Sequence, residues 1–124
     1  MTIFIHSYKR LIFILKLIEE ISIVAIGPLT TVSTCIIADP TIGSRLNTIY
    51  VMGGNSDGEG NVTINAEFNF LFDPEAAYVV INRARCPIVI VPWETCYRHK
   101  IDWVSYCALQ CYKIMIYIPY DKID

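Results

Sequence analysis

Three short apolar runs constrain this chain more than any other feature. They are "ISIVAI" (21–26), "NTIYVM" (47–52) and "CPIVIVPW" (86–93). Each is rich in β-branched residues, and the first two end at Gly27-Pro28 and Gly53-Gly54. Continuous apolar runs of this length suit strands buried on both faces. The stretches between them have a different character. Residues 29–40 are long enough for a short helix that Pro40 stops. Asp73-Pro74-Glu75 reads as a helix cap with proline at the first helical position, and "EAAYVVINRA" continues the helix. Helices are expected near 29–38 and 74–84. Strands alternating with helices signal βαβ units, so the predicted fold class is α/β, an open, mostly parallel sheet with flanking helices.

With 124 residues the chain suffices for one domain and one core. It is 54% hydrophobic and 18% charged, which is more apolar and less charged than usual. Either its strands are covered on both faces or part of their cover lies elsewhere, and the apolar surplus allows a second copy as a partner, a homo-oligomer. The net charge of −2 comes without a basic stripe, so nucleic acid is not an expected partner. Near the start, Lys9 and Arg10 precede "LIFIL" in loose imitation of a signal peptide. Lys16 interrupts the run and no small-residue cleavage site follows. The run is too short to span a bilayer, so a membrane is not expected as a partner. Leu11, Ile14, Leu15 and Ile18 instead fall on one face of an amphipathic helix.

The five cysteines, Cys35, Cys86, Cys96, Cys107 and Cys111, are odd in number and scattered. They do not read as a disulfide framework. Cys107 and Cys111, with His99 nearby, lack the tight ligand pairs of a structural zinc site. Free, mostly buried thiols point to a reducing compartment, and hence to a cytoplasmic location. The tail 101–124 holds four tyrosines and no clean period, and Pro119 limits "KIMIYIPY" as a strand.

Open parallel sheets bind ligands beyond the carboxyl ends of their strands. A glycine-rich polar loop leaves the second strand at such an end, carrying Asn61, Glu67 and Asn69. A carboxylate accepts several hydrogen bonds and each Asn both donates and accepts, which suits a ligand with vicinal hydroxyls. Read alone, Glu67 is as well explained as a solvated carboxylate, and Asn69 as a turn residue. Phe68 and Phe70 read as core, and Asp73 as a helix cap.

At these positions the sequence resembles the inosine-uridine preferring nucleoside hydrolases. The resemblance rests on "GPLT" (27–30), "DP" (39–40), "VMGG" (51–54) and "NAEFNFLFDPEAA" (65–77), and covers roughly residues 11–100. "VPWET" (91–95) is similar to the animal, especially insect, branch. The resemblance implies hydrolysis of the N-glycosidic bond of ribonucleosides to ribose and free base. It implies that Met52, Asn61, Glu67 and Asn69 bind the substrate, a small-molecule ribonucleoside. It also implies a calcium ion, with the main-chain carbonyl of Ile26 as one ligand. The Asn61-Val62-Thr63 sequon is then read as a pocket residue rather than a glycosylation site.

The sequence departs from the family's pattern in several places. Thr31 stands where the family usually has Asn after "LT". The aspartate-rich DTDxGxDD-type motif, which supplies calcium ligands and the catalytic base, is absent from the 124 residues. His99-Lys100-Ile101-Asp102 does not match the family's His-Asp pair in order or context. No catalytic residue is therefore assigned, and most calcium ligands are missing. The chain is expected to be a single partial domain over 1–124, the central slice of such an enzyme, poorly active or inactive alone. Two further readings stay open, a ribose-binding remnant without catalysis and an interaction protein.

Overall fold

The computed structural model describes residues 21–102. The expected amphipathic helix at 11–18, Cys107, Cys111 and most of the tail lie outside the described residues. Within them the order is β1 (Ile21–Ala25), α1 (Thr30–Ala38), α2 (Ile42–Arg45), β2 (Leu46–Met52), α3 (Phe68–Phe72), α4 (Pro74–Arg83), β3 (Ile88–Val91) and α5 (Trp93–Arg98). The three strands form one parallel sheet in the order β1-β2-β3. Ile23 pairs with Ile49 and Ile49 with Ile88, one step before Val24, Tyr50 and Val89.

One face of this sheet makes the core. Ile21, Ile23, Ile49 and Val51 are buried with Val32, Cys35 and Ile36 of α1 and with Ala76, Ala77 and Val80 of α4. The two alanines let α4 lie close to its neighbours. Fully burying a side chain such as Ile36 or Val80 contributes about 1.5–3 kcal/mol. The alternate residues are more open: Ser22 and Val24 are half-buried, and Tyr50 and Val89 are exposed. The expectation of strands buried on both faces thus holds for one face among the described residues. Both crossovers advance the sheet in the same direction, and right-handed crossovers then place their helices on the same side.

The helices start where local chemistry can satisfy their open N–H groups. Asp73 caps α4 by accepting the Ala76 N–H at 3.0 Å, as expected. The Thr30 hydroxyl, at the start of α1, also donates to the Asp73 carboxylate, so one side chain joins two helix starts. The Thr30 hydroxyl first, and then the Ala76 N–H, hold this carboxyl below its ordinary range. The short helix α2 was not legible. It forms because Asp39 accepts from Thr41 and its carbonyl accepts the Ile42 N–H, turning the chain directly into β2. β3 is shorter than the expected 86–93, since Pro92 sits at the N-cap of α5 and Trp93 already belongs to that helix.

Candidate functional site

The carboxyl end of β2 continues into Gly53 and Gly54, and both glycines are needed there. A Cβ on Gly53 would lie 2.7 Å from the Phe70 ring. Gly54 has φ +67°, a conformation that costs side-chain-bearing residues. Gly53 donates to the Val91 carbonyl and the Trp93 N–H donates to the Gly54 carbonyl at 2.9 Å. The turn is thereby fixed to the end of β3 and the start of α5.

Glu67 returns the chain to this turn. It is 3% exposed, and its carboxylate accepts three backbone N–H groups. Gly54 donates to Oε2 at 2.9 Å, Phe70 to Oε2 at 3.1 Å and Asn69 to Oε1 at 2.9 Å. The last two bonds make Glu67 the N-cap of α3. The expected loop through Asn69 is therefore a short helix from Phe68. Sequence reasoning missed it because N-caps are usually Ser, Thr, Asp or Asn, and here a longer Glu does the same work. Of about four acceptor positions on a carboxylate, the second on Oε1 stays available among the described residues.

Asn69 is 6% exposed. Its Nδ2 donates to the Met52 carbonyl at 2.9 Å and lies 3.3 Å from Met52 Sδ. Met52, Glu67 and Asn69 are thus brought together, and Asn69 Oδ1 takes no bond from the described residues. Asn61 is exposed and accepts the Phe68 N–H at 2.8 Å through Oδ1, leaving its amide nitrogen unengaged among them. Ile26, just past β1, has a side chain turned to solvent at 65% exposure. Phe70 packs against the core as expected, but Phe68 is exposed and contacts only the Phe72 ring among aromatic neighbours. Phe68 is the first residue of α3 and stays half-exposed there.

A second buried carboxylate was not foreseen. Glu94, in the first turn of α5, is 1% exposed. It accepts from the backbone N–H groups of Ser56, Asp57 and Glu59, the shortest at 2.8 Å from Asp57. Burial by itself pushes the carboxyl upward, but the N–H groups of Asp57, Glu94 itself, Ser56 and Glu59 outweigh it and hold it at about 2. Its only sequence signal was its place in the "VPWET" stretch, directly after the third strand.

Among the described residues no group of three or more His, Cys, Asp or Glu is placed to hold a metal ion. The zinc reading involves Cys107 and Cys111, which lie outside the described residues. No described helix is long and apolar enough to cross a membrane.

The profile of the inosine-uridine preferring nucleoside hydrolases matches residues 5–116. A probable uridine nucleosidase 1 from Oryza sativa subsp. japonica is 48% identical over 61 residues, which is 49% of this chain and 19% of that protein. A non-specific ribonucleoside hydrolase RihC from Salmonella paratyphi B is 44% identical over 62 residues, covering 50% and 20% respectively. Among solved structures, an inosine-guanosine nucleoside hydrolase aligns with a TM-score of 0.74 and 33% identity, over 82% of this chain and 34% of its own. The chain thus spans about a fifth of the length of these curated relatives. With the profile matching most of its length, this chain belongs to the inosine-uridine preferring nucleoside hydrolase family.

Proposed function

We propose that this chain supplies the ribose-holding part of a nucleoside N-ribohydrolase, acting on purine or pyrimidine ribonucleosides. The observation that carries the reading is Glu67, a carboxylate buried at the carboxyl end of β2 with one acceptor position left over. A ribose hydroxyl would donate to Glu67 Oε1. Asn69 Oδ1 would accept a second hydroxyl and Asn61 Nδ2 would donate to a third, with Met52 beneath the sugar. Positive charge develops on the sugar as the glycosidic bond breaks, and a fixed carboxylate nearby stabilises it. Because three backbone N–H groups already orient that carboxylate, little reorganisation is needed at the moment of reaction.

The family resemblance implies calcium with the Ile26 carbonyl among its ligands. Calcium takes six to eight oxygens, mostly carboxylate. The described residues offer this carbonyl and no acidic cluster, so by themselves they do not fit the ion. Their contribution is to bind and orient the sugar. The chain is read as a single partial domain, cytoplasmic, with a second copy of itself as the partner of its open sheet face. Cys86 and Cys96 are free thiols among the described residues, which supports a reducing compartment.

The test is an assay of the purified 124-residue chain with inosine and uridine, with calcium and with chelator. Little or no base release is expected. Robust turnover abolished by chelator would show that the chain assembles a complete metal site, and Asp39, Asp57, Asp73 and Asp102 would be the first residues to replace.

A further inference from the structure

We infer that Glu94 is a positioning residue, whose carboxylate sets the shape of the 55–66 loop and through it the placement of Asn61. The inference rests on the sugar-binding reading above. A carboxylate in the first turn of a short helix ordinarily stays in water beside the helix terminus. Glu94 instead turns inward and is 1% exposed, with its oxygens aimed at another segment. Three N–H groups from Ser56, Asp57 and Glu59 converge on it, a concave arrangement of backbone donors that favours an anion. An amide in place of the carboxylate would present hydrogens to at least one of these donors.

The grip extends from Glu94 to Asn61 in traceable steps. Asn55 Nδ2 donates to the Asn65 carbonyl at 2.7 Å, and Asn65 Nδ2 donates to the Gly58 carbonyl at 2.9 Å. The arm held by Glu94 is therefore tied to the arm that leads back to Glu67. On that second arm the Ala66 carbonyl accepts the Asn61 N–H at 3.1 Å, and Asn61 Oδ1 accepts the Phe68 N–H. From the far end of α5, the Arg98 guanidinium pairs with the Asp57 carboxylate. Two buried carboxylates thus hold one loop. Glu67 ties its two ends together, and Glu94 fixes its first arm, 56–59.

The experiment uses the full chain and its E94Q and E94D variants. Amide exchange is read at Ser56, Asp57 and Glu59, and affinity is read with D-ribose. E94Q is expected to lower protection at those three amides at least tenfold and ribose affinity about tenfold, with β2 amides unchanged. E94D, which keeps the charge, is expected to recover part of both, and it stands in for E94Q if that variant does not fold. Unchanged protection in the variants, or unchanged ribose affinity once protection is lost, would overturn the inference. Absence of ribose binding by the unaltered chain would refute the sugar-binding reading and the positioning role with it. Loss of protection in E94Q would then still show the clamp as a purely structural device.

Discussion

Glu67 caps a helix and, in the proposed reading, also faces a ribose hydroxyl. Its three backbone bonds explain why it can stay buried, and its spare acceptor is what the proposal assigns to the sugar. Replacing it with Ala leaves the N–H groups of Gly54, Asn69 and Phe70 without their acceptor. Each unsatisfied buried donor costs about 1–3 kcal/mol. Glu67→Ala should therefore lower the thermal midpoint as well as abolish sugar binding, which calorimetry on the purified variant would reveal. Asn69→Ala separates the two effects. It removes the bond to the Met52 carbonyl, worth about 1 kcal/mol, and should weaken sugar binding with a smaller loss of stability. Cys35 is buried as well, but among apolar side chains. It is buried in the core, and burial pushes its thiol up to about 11. A thiol reagent should label the half-buried Cys96 in the native protein and reach Cys35 only after denaturation, as peptide mass mapping would show. The roles of Glu67 and Asn69 were suggested by motif, but Glu94 carried no such mark. Its partners are backbone N–H groups of Ser56, Asp57 and Glu59, 35 to 38 positions away, and backbone groups have no sequence signature.

The elements divide by what specifies them. β1, β2 and the helices α1 and α4 were legible because their apolar content, proline and capping residues are local. β3 was legible in place but not in length, since "PW" reads equally as strand end or helix start. α2 and α3 were not, because neither has room for a periodic pattern and each depends on one acidic side chain closing a turn. Gly53, just past β2, lies directly against Phe70 of α3. Gly53→Ala would force the Phe70 ring, now 2.7 Å from the added carbon, out of its place against the core. A cost of about 1–3 kcal/mol is expected from such overpacking, read as a shift in the urea midpoint. The carboxylates also predict a pH dependence. Asp73 and Glu94 have folded pKa values below their ordinary ones, Glu94 at about 2. Such groups contribute stability that is present above their unfolded pKa and lost as pH falls through the folded value. Stability should hold at neutral pH and decline from about pH 4.5 toward pH 2. Scanning calorimetry across that range should show a shallower decline in E94Q than in the unaltered chain.

At the scale of the molecule, the described residues form a sheet with one closed face and one open face. The open face presents Val24, Tyr50 and Val89 in register, with the polar pair Ser22 and Thr48 in the neighbouring row. The carboxyl edge of the same sheet carries Met52, Glu67 and Asn69, fastened to α5 through Gly54 and Trp93. As proposed, a sugar-holding edge without an acidic cluster among the described residues would separate binding from turnover. The account's central claim is that Glu67 and Asn69 hold ribose. The most direct measurement is a titration of the isotopically labelled chain with D-ribose and with inosine, following backbone and Asn side-chain amide resonances. Saturable shifts at Asn61, Asn69 and Gly54, lost in Glu67→Gln while the β1 and β2 resonances stay in place, are the predicted result. Shifts absent at saturating ribose, or unchanged by Glu67→Gln, would contradict the account.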